Sequence, residues 1–199
     1  MFTGLIESVG RLEAVTADAG GMHITIATAI AHELQPGDSV SVNGVCLTAT
    51  RLDAAYLHAD IGPETARVTT LGTLRPGQTI NLERSMRADS RFGGHFVQGH
   101  VDGVGQLRSI RPDGDAHWMT IQFPSALAPF IVRKGSIAVD GISLTVADLR
   151  DDEFDVMIIP FTWEHTNLSS VRADDWVNLE GDMVGKYVAR AVELTQAGR

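Results

Sequence analysis

VNGVCLT, residues 42–48, returns as VDGISLT, residues 139–145, and the two copies lie 97 positions apart in a chain of 199 residues. At the same shift, IGPETARVTTLGTLRPGQTINLERS (61–85) falls without a gap on IIPFTWEHTNLSSVRADDWVNLEGD (158–182). Ile61/Ile158, Pro63/Pro160, Thr65/Thr162, Thr69/Thr166, Leu71/Leu168 and Arg75/Arg172 are identical pairs, as are Asn81-Leu82-Glu83 and Asn178-Leu179-Glu180. The start repeats at a shift of 95, with FTGLIESVG (2–10) on VQGHVDGVG (97–105). A repeat of nearly half the chain predicts two copies of one domain, residues 1–95 and 96–182. The polar, glycine-containing SMRADSRFGGH (85–95) joins them, a composition that suits an exposed connection. One difference inside the repeat is chemical: Cys46 of the first copy becomes Ser143 in the second.

Each copy reads as short, β-branched, often period-two segments. HITIAT, SVSVNG and TINLE stand in the first, and HWMTIQF, SIAVDG, DVMII and DWVNLE in the second, broken by PGD, DG and RPG turns. About six strands per copy predict a closed barrel, because closure removes the edges that invite aggregation. The expected fold class is all-β: two tandem homologous six-stranded antiparallel Greek-key β-barrels plus a C-terminal α-helix. ATAIAHEL (27–34) and PSALAPFI (124–131) are short helical candidates at equivalent places, each capping a barrel end. After Asp182, Val184, Tyr187, Val188, Ala191, Val192 and Leu194 fall on one helical stripe, so residues 183–199 form a helix that the first copy lacks. An isolated helix of that length is marginal in water. It must pack, either on its own barrel or in a bundle between subunits.

Composition excludes several partners. Sixteen basic residues against 25 acidic give a net charge of −9, which repels a phosphate backbone and argues against nucleic acid or an anionic membrane. MFTGLIESVG has no basic n-region followed by an apolar run, and no stretch is long enough to span a bilayer, so a soluble cytoplasmic protein is expected. A single cysteine excludes an internal disulfide and a Cys-built metal site.

Taken together, MFTGLIE, the pair NGVCLT and DGISLT, the junction GGHFVQGHVDG, the segment IIPFTWEHTNL and the terminal NLEGDMVGKYV resemble the riboflavin synthase alpha-chain family over nearly the whole chain. The resemblance implies two lumazine-binding barrels per subunit and a homotrimer held by the helix of residues 183–199. It implies dismutation of two 6,7-dimethyl-8-ribityllumazine molecules, one giving four carbons to the other to yield riboflavin and 5-amino-6-ribitylaminouracil. The site would lie between the first barrel of one subunit and the second barrel of a neighbour, with no metal or redox cofactor. Lumazine synthase comes into view as an associating partner. Two identical substrates with unlike roles need two similar but unequal pockets, and Cys46 against Ser143 breaks the equivalence.

On the matching motifs, Cys46, His100, Ser143, Thr145 and Asp182 are the candidate catalytic groups. A modest base suffices, because the carbanion left by deprotonating the 7-methyl group is delocalised into the ring. Backbone groups of Gly4, Leu5 and Ile6 and of Gly99, His100 and Val101 suit the pyrimidine edge, glycine allowing close approach. The ribityl hydroxyls are expected at Thr48, Asp60, Glu64 and Thr65 in copy one and at Ser143, Thr145 and Thr162 in copy two. Ser39, Leu47, Ile61, Gly62 and Pro63, together with Leu144, Ile159, Pro160, Phe161, Trp163 and Glu164, complete the candidate binding set. Lys134 could neutralise developing negative charge. Each has an ordinary alternative: a buried apolar cysteine at Cys46, a helix cap at Asp182, a solvated lysine at Lys134, linker structure at His95. Val45 stands where the family often has a second cysteine, and Phe161 where a polar residue is frequent. The alternative reading is a non-catalytic lumazine- or flavin-binding protein, a kind of relative that tends to lose the second-barrel motif. Ser143-Leu144-Thr145, Ile159-Pro160 and the helix are all kept here, which favours the enzyme. A barrel that binds oligonucleotides would want a basic, aromatic-lined groove, against 6% aromatics and a charge of −9.

Overall fold

A computed structural model describes residues 1–18 and 20–197. The first barrel contains β1 (Ser8–Asp18), β2 (Gly21–Ala27), β3 (Ser39–Val42), β4 (Val45–Asp53), β5 (Tyr56–Ile61) and β6 (Thr79–Arg84), closed in the order β1-β2-β5-β4-β3-β6. The second contains β7 (Gly103–Asp113), β8 (Ala116–Gln122), β9 (Ser136–Val139), β10 (Ile142–Leu149), β11 (Glu153–Ile158) and β12 (Trp176–Gly181), closed in the corresponding order. Period two does the sorting: Leu47, Ala49, Leu57, Ala59 and Ile61 fill the first interior and Val146, Phe154, Val156 and Ile158 the second. Alternate residues on the same strands are left facing outward. The two short helical candidates are single 3₁₀ turns, Ala29–Glu33 and Ser125–Phe130. Pro129 inside the second turn removes a donor and prevents a longer α-helix. Two short α-helices that the strand patterns concealed follow β5 and β11: α1 (Pro63–Val68) and α2 (Pro160–Glu164), each with proline at its start.

The repeated heptads meet each other. Asn43-Gly44 and Asp140-Gly141 are two-residue hairpin tips with φ of 45° and 79° and of 45° and 80°, the conformation that Asn-Gly and Asp-Gly favour. The tips abut so closely that a Cβ on Gly44 would lie 2.6 Å from the Gly141 nitrogen, and one on Gly141 2.8 Å from the Gly44 nitrogen. Around them runs a buried network with two-fold character. Asn81 donates its N–H to Asn43 Oδ1 (2.7 Å) and its amide to the Asp140 carbonyl (3.0 Å). Asn178 donates its N–H to Asp140 Oδ1 (2.8 Å) and its amide to the Asn43 carbonyl (2.8 Å). The asymmetric element is the Asp140 carboxyl, whose second oxygen accepts from Asn167 Nδ2 (2.9 Å).

The third α-helix, α3 (Met183–Ala197), leaves the second barrel with Gly181 and Gly185 close against Phe130. Its apolar stripe is bare: Val184, Tyr187, Val188, Val192 and Leu194 are each at least half exposed. The stripe therefore does not pack on its own barrel. Positions 198 and 199 of the expected helix lie outside the described residues.

Burial pushes the Asp140 carboxyl up to about 6, against the opposing hydrogen bonds from Asn178 and Asn167. A carboxyl with a folded-state pKa above its unfolded value favours the folded protein as pH falls through that folded value. Unfolding in urea at pH 7 and pH 5 should show the wild type gaining about 1.4 kcal/mol more on acidification than Asp140→Asn, which copies the first tip.

Candidate functional site

The pairing register of each hairpin decides what its outer edge offers. Val139 and Ile142 flank a two-residue turn and so exchange hydrogen bonds, which places Ser143 and Thr145 at positions whose N–H and C=O groups point away from β9. The β10–β11 ladder begins only at Val146, so a stretch of polar backbone is left open. The loop Gly4-Leu5-Ile6, from the start of the chain, closes one end of it: Gly4 O accepts the Ser143 N–H at 2.7 Å. The first barrel is built the same way with the loops exchanged, since Gly99 O accepts the Cys46 N–H at 2.9 Å. Val101 packs against the first core and Ile6 against the second. Each crevice is therefore walled by the other repeat's loop. Gly4 and Gly99 are required there, with φ of 77° and 80°; a Cβ on either would lie 2.6 Å from the Cβ of Ser143 or Cys46.

Two buried carboxylates hold these loops. Glu83 accepts the Thr3 N–H (2.7 Å), the Thr3 hydroxyl (2.7 Å) and the Gly4 N–H (2.9 Å). Glu180 accepts the N–H groups of Gln98 (2.7 Å), Gly99 (3.0 Å) and His100 (3.0 Å). Desolvation raises both pKa values, and the same hydrogen bonds oppose it. Neither glutamate was singled out from the sequence. The signal was the duplicated Asn-Leu-Glu, in which Leu faces the core while Asn and Glu are buried polar residues.

In the second barrel the crevice opens into a cavity of about 490 Å³ on the outer face of the sheet. Ser143, Thr145 and Ala147 line it from β10, Met157 from β11 and Trp118 from β8, with Ile159 and Thr162 beyond and Lys134 at the rim. Lys134 has φ of 67° where copy one has Gly37, a left-handed conformation that costs a side chain about 1 kcal/mol. Ser143 Oγ lies 2.7 Å from His95 Nδ1. The linker is thus not wholly exposed: His95 is buried, its N–H is held by the Thr3 carbonyl, and desolvation lowers its pKa so that the ring stays neutral. Phe161 stacks on His165 at 4.0 Å and is two-thirds exposed. Trp163 instead turns inward and stacks on His117 at 3.9 Å. Asp182 caps α3 through the Val184 N–H (2.9 Å) and approaches His95 closely enough to act on its charge.

The corresponding positions of the first barrel are Cys46 and Thr48 on β4, Asp60 on β5, and Gly62 and Thr65. Ser39 pairs directly across from Thr48 and also lines a separate cleft with Arg84, Arg87 and Arg91. The side chains of Leu47 and Ile61 point into the core, because they occupy the inward phase of their strands. Glu64 is tied to Arg67 within its own helix, which lowers its pKa. The candidate catalytic groups consequently fall into two sets, Cys46 and His100 at one crevice and Ser143, Thr145 and Asp182 at the other.

Removing the Glu180 carboxylate leaves three N–H donors without an acceptor, that of Gly99 buried and those of Gln98 and His100 partly so. Glu180→Ala should lose about 3 kcal/mol of stability in urea. Amide hydrogen exchange should rise at residues 98–100 and also at Cys46, in the opposite barrel, whose N–H depends on Gly99.

The lumazine binding domain matches twice, at residues 3–85 and 98–182. A riboflavin synthase from Actinobacillus pleuropneumoniae is 45% identical over 94% of this chain and 88% of its own. One from Mycobacterium tuberculosis (strain CDC 1551 / Oshkosh) is 44% identical over 96% and 97%, and one from Bacillus subtilis (strain 168) 41% over 96% and 89%. Among solved structures, LumP complexed with riboflavin superposes with a TM-score of 0.86 at 24% identity, covering 91% of this chain and 99% of LumP, which shows a shared fold. With two lumazine binding domains and relatives of this identity along nearly its whole length, the chain belongs to the riboflavin synthase family.

Proposed function

We propose that this protein is a riboflavin synthase that converts two molecules of 6,7-dimethyl-8-ribityllumazine into riboflavin and 5-amino-6-ribitylaminouracil. The observation that carries the reading is a pair of crevices with one frame and two linings: Cys46 and Asp60 in one, Ser143 and Met157 in the other. Backbone groups at Thr48 and Thr145, with the exchanged loops beside them, meet the pyrimidine edge of each ring. One molecule loses a proton from its 7-methyl group, and the electron pair enters the ring. The acceptor molecule is primed by addition of a nucleophile, water or the Cys46 thiol. Carbon–carbon bonds join the donor's four carbons to the acceptor, the donor's two C–N bonds break to release 5-amino-6-ribitylaminouracil, and the added nucleophile is expelled as the new ring becomes aromatic, so that the oxidation of one product balances the reduction of the other.

His100 takes the proton in this scheme. Its loop is fixed by Glu180 through the backbone, and its ring makes no hydrogen bond among the described residues. The Ser143 hydroxyl, oriented by His95, and the Lys134 ammonium face the ring in the second crevice. The split of these groups between the barrels supports an active site formed by the first barrel of one subunit and the second barrel of a neighbour. The bare stripe of α3 supports a homotrimer, as do the exposed Val132, Met157, Ile159 and Phe161 around the second crevice.

The test is incubation of the purified protein with the lumazine alone, counting molecules consumed per riboflavin formed. Two per riboflavin is expected, and binding without turnover would make the protein a passive ligand carrier. His100→Gln should lower kcat about 100-fold. Val188→Glu should convert a trimer seen by sedimentation into monomers with little turnover.

Lys134→Gly should separate stability from activity. Relief of the left-handed side chain should raise stability by about 0.5 kcal/mol after the entropic cost of glycine, read as the urea midpoint, while turnover falls.

A further inference from the structure

The two crevices differ most along one transverse row of outward-facing residues. In the first barrel the ladder that pairs Ala49 with Ala59 sets Thr48 across from Asp60, and β5 pairs Asp60 with His23 on β2. In the second, the pairing of Val146 with Val156 sets Thr145 across from Met157, and Met157 pairs with Trp118. Thr145, Met157 and Trp118 line the second cavity together, and Thr48, Asp60 and His23 occupy the corresponding outward positions of the first barrel. Trp118 donates its indole N–H away to Asp113 (2.9 Å), which leaves the indole face and the Met157 thioether as an apolar wall. His23 does the opposite. Its Nδ1 lies 2.7 Å from Asp60 Oδ1 and its Nε2 3.0 Å from Asp18 Oδ2.

From this contrast we propose that His23 is a positioning residue that holds Asp60 as a fixed acceptor for the ribityl hydroxyls, an acceptor that the second barrel lacks. The inference rests on the lumazine-binding reading above and deepens it. The Asp60 side chain is 58% exposed and would rotate freely if left alone. The imidazole, anchored by Asp18 on its far side, fixes one Asp60 oxygen, while the other has no partner among the described residues and can accept from a hydroxyl. The hydrogen bond to Asp60 and then that to Asp18 raise the His23 pKa, which favours the doubly protonated ring that donates to both carboxylates. A hydrogen bond to a charged group is stronger than one between neutral groups, and a site built to bond a hydroxyl discriminates strongly against a ligand lacking it. The second barrel has the apolar Trp118 and Met157 at these places, which leaves its hydroxyl contacts to the neutral Thr145 and Thr162.

Equilibrium dialysis counts both sites, and Trp118→Ala marks the second-barrel site as the one that it weakens. The probes are riboflavin, which the protein alone does not consume, and its 10-methyl analogue. Loss of the ribityl chain should weaken the first-barrel site about 100-fold and the second-barrel site less than about 10-fold. His23→Phe should weaken riboflavin at the first-barrel site about 10-fold and leave the second unchanged. His23→Gln, which keeps a donor toward Asp60, should restore most of that loss. In turnover of 6,7-dimethyl-8-ribityllumazine, His23→Phe should raise KM about 10-fold with kcat within about threefold. Equal weakening of both sites by His23→Phe, or no change at either, overturns the proposal. A wild type that binds the lumazine without forming riboflavin removes the synthase reading, and dialysis of the two flavins still decides for or against His23.

Discussion

Everything in this molecule is arranged around the place where two hairpin tips touch. Gly44 and Gly141 approach backbone to backbone, leaving no room for a side chain on either. Such contact strands polar main-chain groups away from water, and each stranded group must find a partner. Asn81 and Asn178 supply those partners crosswise, each bonding the tip of its own barrel and the tip of the other. The barrels are thereby locked by obligatory hydrogen bonds beside a small apolar cluster of Phe2, Val97 and Ala138 drawn from both repeats, while the two large cores stay separate. Two residues further along the same strands, Glu83 and Glu180 hold the loops that wall the crevices. One buried triplet, Asn-Leu-Glu, thus fixes the barrel pair, fills the core and shapes the sites.

Much of this was legible in the sequence because it depends on local period and on repetition. Val40, Val42, Leu57 and Ala59 alternate with polar neighbours, and alternation specifies a strand and its buried face at once. The repeat located the two barrels, and the stripe from Val184 to Leu194 located α3. What escaped reading depends on contacts between distant segments. Nothing local in Gly4-Leu5-Ile6 says that it lies against Ser143, nor in Gly99-His100-Val101 that it lies against Cys46, since each segment crosses to the other repeat. His95 reads as linker until Ser143 Oγ is found beside it. Within the candidate site, the matching motifs assigned residues to each copy, whereas the crossing of each glycine loop to the other copy's crevice was not legible.

The pattern of difference between the repeats has a physical logic. A buried polar group that loses its partner costs several times what an exposed substitution does, so Asn81, Asn178, Glu83 and Glu180 have little freedom to diverge. The outward phase of β2, β4, β5 and their counterparts carries no such obligation. There, Trp118 stands where the first copy has His23 and Met157 where it has Asp60; beyond these strands Phe161 replaces Glu64 on a short helix and Lys134 replaces Gly37 in a turn.

Duplication alone therefore does not explain two unlike sites; the division of each strand into an obligatory face and a free face does. The inward and axial positions hold the two crevices in matched geometry. The outward positions then set charge, hydrogen bonding and polarity independently in each. Lys134 illustrates how far this goes. A lysine held at a left-handed φ where its counterpart is glycine tolerates backbone strain in order to place an ammonium at one rim and not the other. Such strain persists only when the surrounding structure fixes it. Here it is fixed by the N–H bond of Lys134 to the Val146 carbonyl, the same bond that Gly37 makes to Ala49 without strain.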